Sequence, residues 1–390
     1  MAKTLAADPK NQVVFITQPD RPTMKGVRKV EYKPHRGATE GIHHYLRSTE
    51  TAVINGQGAA GKALDLKNSG FRPDVMVSHP GWGEGLYLKD VFPDVPLLSF
   101  CEFYYHGQGA DVGFDPEYPS DLNSECQTRT RNAYHLLSLE AADHGYSPTE
   151  WQKKQFPTEY HSKISVIHDG IDCDLAKPNP DAEIKLQSGV TLRPGDPVVT
   201  YVARNLEPYR GFHTFVRCLP HLFERRPDAR VVVVGGNDVS YGRTPPDGKT
   251  YREILIEEVK PPLERVHFLG RVAYSDYLRV LQVSAAHTYL TYPFVLSWSM
   301  LEAMASGVAL VGSATAPVQE VVKDGVNGVL VDFFDPVNLA NTLADVLDRG
   351  KGTADMRANA RQTVLDRYAL TDCRKKLIGL ISDMAGGPQV

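Results

Sequence analysis

At 390 residues, 42% of them apolar and 23% charged, the chain is long enough for two domains with buried cores and has an ordinary globular composition. Its net charge of −4 gives no general attraction to nucleic acid or anionic membrane, and no apolar run approaches the length of a membrane span. Five scattered cysteines (Cys101, Cys126, Cys173, Cys218, Cys373) lack paired metal spacing. That argues against a zinc site or a disulfide framework and, with no secretory signal at the start, for a reducing cytoplasm.

Residues 13–17 read as a first strand, closed by Gln-Pro-Asp-Arg-Pro. Lys25, Arg28, Lys29, Lys33 and Arg36 then crowd one stretch, read as a solvated loop in preference to a surface for an anionic acceptor. Residues 39–63 are rich in helix formers. Within them Gly56-Gln-Gly-Ala-Ala-Gly-Lys62 fits both a dinucleotide loop and a phosphate loop. No strong strand precedes it, and Ala63 stands where a hydroxyl would hold magnesium, so it reads as a chance match. Strands at 74–78 and 95–100 end at His79 and at Cys101-Glu102. Residues 107–118 form a loop, 129–140 a helix, and 164–167 a strand leading into His168-Asp-Gly-Ile-Asp172. Asp172-Cys-Asp174 spells a metal-binding D-x-D, but it lies at a domain crossover and is set aside as coincidence.

Residues 177–197 contain four prolines and two glycines and read as a linker. Beyond them, strands at 198–203, 230–235, 266–269, 286–292, 308–312 and 328–331 alternate with helices that include 212–225, 275–283 and 336–348. This βα alternation predicts a parallel sheet with both faces covered. The expected division is an N-terminal domain over 1–176, the linker, a C-terminal domain over 198–366, and a tail, 367–390, whose last helix is near 372–385.

Two features point to a bound anion. The strand ending at Ala203 runs into a polar turn with Arg204 and Arg210 before Gly211 opens a helix, and fixed guanidiniums there suit phosphate. The alternative is that Arg204 simply pairs with Glu207 or another carboxylate. Further on, Ser297 can cap a helix over 298–306, with Gly307 at its left-handed end. Ser297, Trp298 and Ser299 would then offer backbone N–H groups to a distal phosphate. Glu302, one turn in, can accept hydrogen bonds from hydroxyls. Gly236 ends a strand where backbone could approach a ligand.

The stretch 289–332 resembles the C-terminal half of retaining glycosyltransferases of family four, which have the GT-B fold of two Rossmann-like domains facing across a cleft. Glu302, the run Ala303-Met-Ala-Ser-Gly307 and Glu320-Val-Val322 match that family's motif, while Phe294 stands in place of its first glutamate. The resemblance implies that Glu302 meets the nucleotide ribose and that position 294 lies at the donor sugar. It implies diphosphate contacts for Arg204 and Arg210, the latter in place of lysine with one extra residue in the turn. It also implies a base-lining loop after 266–270, reaching Arg271, and a crossover at His168–Asp172 with Asp169 replacing asparagine. In the GT-B fold the last helix crosses back to the first domain. His79 and Glu102, at N-terminal strand ends, would face the cleft near the sugar.

The function so implied is transfer from a nucleotide-sugar, a UDP- or GDP-sugar, to an acceptor hydroxyl, with no tightly bound cofactor and no metal required. The acceptor stays open among glycan, lipid-linked glycan, protein and nucleic acid. Peripheral membrane contact is compatible, and the oligomeric state is unspecified. A nucleotide-sugar epimerase that hydrolyses its donor is one rival. A non-catalytic binding subunit is another, supported by Phe294 and opposed by Glu302, Arg204 and Arg210.

Overall fold

The computed structural model describes residues 1–386 and divides into two compact units, Met1–Asp169 with the chain from Thr371 onward, and Gly170–Leu370. The N-terminal unit holds β1 (Val13–Thr17), β2 (Val27–Glu31), β3 (Met76–Ser78), β4 (Leu97–Phe100), β5 (His144–Ser147) and β6 (Ile164–Val166). The first two pair in parallel, and the other four form a parallel sheet in the order β3-β4-β5-β6. The C-terminal helix Leu370–Met384 buries Leu377 and Ile381 against Leu98, Tyr146 and Ile167 of this unit.

β2 runs through the basic stretch that reads as a loop in sequence. Val27 and Val30 pair with Val13 and Ile16, and two of the five basic residues find local carboxylates. Lys29 bonds Glu31 at 2.9 Å and Arg36 bonds Glu50 at 2.8 Å, so neither is free for an anion. The glycine-rich pattern lies inside the helix Arg47–Asn68, as expected of a chance match. Two of its glycines answer to packing: a Cβ at Gly56 would sit 2.7 Å from the Gly83 carbonyl, and one at Gly58 would sit 2.6 Å from the Tyr32 ring. The single helix expected at 129–140 is two, Leu122–Arg131 and Ala133–Ala141. At the break, the Asn132 side chain exchanges both hydrogen bonds with the backbone of Tyr105.

The C-terminal unit begins with a small antiparallel hairpin, β7 (Ile184–Lys185) and β8 (Thr191–Leu192). The prolines and glycines of 177–197 therefore punctuate a packed element. Ala182, Leu186 and Leu192 are buried against Val198, Val232 and Val280. Then come β9 (Val198–Asn205), β10 (Arg230–Gly236), β11 (Val266–Gly270), β12 (Ala286–Tyr289), β13 (Ala309–Ser313) and β14 (Val329–Val331), all parallel in the order β11-β10-β9-β12-β13-β14. β-Branched runs such as Val231–Val234 are buried on both faces, as a sheet covered by helices on each side requires. Asp172, of the D-x-D pair, accepts from the backbone N–H of Asp174 and Leu175, closing a turn. Among the described residues no helix is long and apolar enough to cross a membrane.

Buried histidines make this fold acid-sensitive. Burial holds His135 and His287 down to about 3 and His168 to about 4, from an ordinary 6.5. Below pH 6.5 the unfolded chain takes up protons that the folded histidines refuse, so stability present above that pH is lost as the pH falls. Asp169, pushed up to about 6 by burial and by the charge of Glu102, works in the opposite sense and offsets one of the three. The melting temperature should therefore drop between about pH 7 and about pH 5. A flat or rising profile in thermal melts would contradict this assignment of the buried groups.

Candidate functional site

In the C-terminal sheet, the chain after β9 builds outward through β10 and β11, then returns to the other side of β9 to build β12, β13 and β14. Successive loops at the carboxyl ends of β9 and β12 thus leave in opposite directions and open a crevice, where open α/β sheets bind ligands. Arg204, near the end of β9, is exposed and has no partner among the described residues. The alternative pairing with Glu207 does not form. Glu207 is fully buried and accepts the N–H groups of Ser240, Tyr241 and Gly242 at 3.0, 3.1 and 3.0 Å.

Arg210, expected at a phosphate, is held by protein groups. It is 8% exposed, and its Nη1 donates to Thr291 Oγ1 at 2.8 Å, the Val295 carbonyl at 3.0 Å and the Tyr289 hydroxyl at 3.3 Å. The Tyr241 and Phe294 rings flank its guanidinium. Gly211 follows at φ +67°, with room for a Cβ only 2.4 Å from that of Leu290, so glycine is required to start the helix Phe212–Arg225.

After β12 the chain turns into the helix Trp298–Ala305. Ser297 caps it, its Oγ accepting from the Ser299 N–H at 3.4 Å, while its own N–H donates to the Tyr289 hydroxyl at 2.8 Å. The hydroxyl of Tyr289 therefore links the Arg210 guanidinium to this helix start. Trp298 is 54% exposed, and Gly307 has the left-handed φ of +71° that ends the helix. Met300, Leu301, Ala303, Met304 and Ala305 are buried.

Glu302 alone breaks that apolar run. It is half-buried, and each carboxylate oxygen accepts a tyrosine hydroxyl at 2.7 Å, Tyr274 on one and Tyr277 on the other. Burial and the Glu302 charge push both phenols up, so they stay protonated and keep donating. Neither tyrosine stands out in sequence, although a Tyr-x-x-Tyr at a helix start places both on one face.

Phe294 does not reach solvent as a ligand contact would. It is 5% exposed and packs against Tyr209 and Tyr241 at ring distances of 5.7 and 5.0 Å. Where the resemblance has a carboxylate at the sugar, this chain has a ring turned into an aromatic cluster. At Gly236 the place of a side chain is already taken. A Cβ there would lie 2.6 Å from both Arg271 Nε and Asn205 Oδ1. Arg271 fills that place, bonding Asn205 at 3.0 Å and Asp238 at 2.7 Å, and is otherwise exposed.

In the N-terminal unit, β3 and β4 pair with Ser78 beside Ser99, which brings their following residues together. His79 Nε2 lies 3.2 Å from Glu102 Oε2. The Gly81 N–H donates to His79 Nδ1 at 3.0 Å, so in the neutral ring Nε2 carries the proton and donates to Glu102. Asp169, whose raised pKa reflects burial and then Glu102, is a titratable neighbour that sequence reading treats only as a replaced asparagine.

The family model described as "Glycosyl transferase family 4 group" matches residues 9–176, and that for "Glycosyl transferases group 1" matches 184–363. Curated relatives include D-inositol 3-phosphate glycosyltransferase of Mycobacterium sp. (strain JLS), 30% identical over 218 residues, covering 55% of this chain and 47% of that protein. The Corynebacterium glutamicum (strain R) enzyme of the same name is 29% identical over 48% of this chain and 44% of its own. The chain thus spans about half the length of the curated relatives it matches. Sucrose-phosphate synthase from Thermosynechococcus elongatus superposes with a TM-score of 0.73 at 16% identity, over 98% of this chain and 92% of that one. Anabaena Alr3699/HepE in complex with UDP and glucose gives 0.66 at 18%, over 92% and 87%. At these identities the likeness is one of fold, which is GT-B.

Proposed function

This chain belongs to the group 1 glycosyltransferases, and from that premise we propose that it transfers a sugar, with retention, from a nucleoside-diphosphate sugar to an acceptor hydroxyl. The observation that carries the proposal is the reversal of strand order between β9 and β12, with an unpaired Arg204 after one strand and the capped Glu302 helix after the other. In this reading Arg204 and the first turn of that helix receive the diphosphate, and Glu302 accepts from the ribose hydroxyls. The loop after β11 lines the base. Arg210 acts one step back, through Tyr289, by fixing the helix start. The N-terminal unit, which carries His79 and Glu102, takes the acceptor.

The chemistry asks little of side chains. The bond from the anomeric carbon to the diphosphate oxygen breaks, and the acceptor oxygen bonds that carbon on the same face. The acceptor proton passes to the departing phosphate oxygen. Stabilising that leaving charge and holding both substrates is the protein's part. The free cysteines fit a reducing compartment, and the activity is assigned to the cytoplasm on that basis.

Calorimetric titration with UDP, GDP, ADP and their sugar conjugates tests the reading. One nucleotide should bind saturably, and one of its sugar conjugates should bind more tightly. UDP is the first to try, since the Anabaena neighbour was solved with UDP and glucose. Absence of binding by all three would remove the transferase reading in favour of a non-catalytic subunit.

A further inference from the structure

Trp82 has no evident structural employment. Its side chain is 64% exposed, yet the backbone that carries it is held from both sides. The Asn55 amide donates to the Trp82 carbonyl at 3.0 Å, and the Gly81 N–H is bound to His79 Nδ1. Gly83 follows at φ +90°, where a Cβ would lie 2.1 Å from the Ala52 carbonyl oxygen. A rigid turn therefore presents a free indole, at low entropic cost to any ligand that covers it.

Polar groups stand beside the ring. His79 is 6.4 Å from Trp82 between ring centroids, and its Nε2–H donates a hydrogen bond to Glu102. The Glu102 carboxylate is itself 44% exposed, so it keeps acceptor capacity for hydroxyl donors. Behind them His135 is buried, and neither of its ring nitrogens has a partner among the described residues. Burial first, and then the charges of Arg131 and His79, hold its imidazole neutral. An aromatic face beside an accepting carboxylate suits one ligand chemistry well. The C–H face of a pyranose carries partial positive charge and meets the negative face of the indole, while its hydroxyls donate to Glu102. The same carboxylate repels a phosphate or carboxylate ligand.

We propose that Trp82, with His79 and Glu102, forms a subsite for a neutral pyranose ring of the acceptor, so that the acceptor is a carbohydrate. This rests on the transferase reading, which makes the ring the acceptor's.

The test is saturation-transfer NMR on the UDP-saturated protein, using methyl α- and β-glycosides of glucose, mannose, galactose and N-acetylglucosamine. At least one glycoside should bind, with transfer concentrated on the C–H groups of one sugar face. Trp82→Ala should weaken that binding about tenfold, the loss of one stacked ring, while Trp82→Phe retains most of it. Because the side chain is exposed, UDP affinity should be the same in both variants. The proposal is overturned if the alanine variant binds glycosides like the wild type, or if the UDP-bound protein takes none of them. It is equally overturned if free nucleosides, and no glycoside, depend on Trp82, or if only UDP-sugar binding does. Trp82-dependent glycoside binding in a protein that binds no nucleotide would keep the subsite and remove the transferase reading.

Discussion

Glu302→Ala should weaken UDP binding by roughly 10- to 100-fold, the range expected when hydrogen bonds to a charged acceptor are lost. The carboxylate is held in one orientation by Tyr274 and Tyr277, each at 2.7 Å, so its remaining lone pairs are already aimed before a ligand arrives. Two controls separate a ribose contact from a general disturbance. Deoxy analogues of UDP, lacking the 2′- or 3′-hydroxyl, should bind wild type more weakly by a similar factor. The alanine variant should be nearly indifferent to the same deletion, because the partner is already gone. Losses that simply add would place the ribose elsewhere. Glu302→Gln keeps one accepting oxygen and should fall between the two. Alanine also orphans the Tyr277 hydroxyl in a buried setting, so a modest drop in melting temperature accompanies the change.

The two arginines should separate cleanly by what they damage. Arg210→Met removes three hydrogen bonds from a buried guanidinium and leaves the Val295 carbonyl and Thr291 hydroxyl without their donor. A stability loss of about 3 kcal/mol follows, with weaker nucleotide binding because the Ser297 end of the helix loses its anchor through Tyr289. Arg210→Lys keeps the charge without the planar fork and recovers only part of both. Arg204→Ala should leave stability within about 0.5 kcal/mol, as an exposed unpaired side chain, and still lower UDP affinity about tenfold, the weight of one charge-assisted contact to phosphate. Denaturant unfolding combined with calorimetry distinguishes the pair. Equal stability losses, or an Arg204 variant that binds UDP normally, would reject this division of labour.

Much of the fold is legible in the chain. Runs such as Val231–Val234 announce buried parallel strands because β-branched residues without polar alternation suit a sheet covered on both faces. Ser297 and Gly307 mark the ends of a helix through local chemistry alone, a side-chain cap and a left-handed turn. β2 escapes notice because Arg28, Lys29 and Glu31 leave only Val27 and Val30 apolar, without alternation, and it is pairing with β1 that makes the segment a strand. β5 escapes because His144-Gly-Tyr-Ser147 has neither length nor a β-branched run.

The site divides along the same line. Residue types at the ends of β9 and β12 mark the crevice proposed to take the diphosphate, since cap, glycine and arginine act within a few residues of themselves. Which arginine remains free is another matter. Arg210 meets Val295 across 85 positions, Glu207 meets Tyr241 across 34, and Glu302 meets Tyr274 across 28. Periodicity reports how deeply a segment's own side chains are buried. It carries no record of the partners that strand order and register bring to them from elsewhere in the chain. Arg204 and Arg210, six residues apart, look alike in sequence, and the packing of β12 and its following turn against β9 makes one an exposed cation and the other a buried brace.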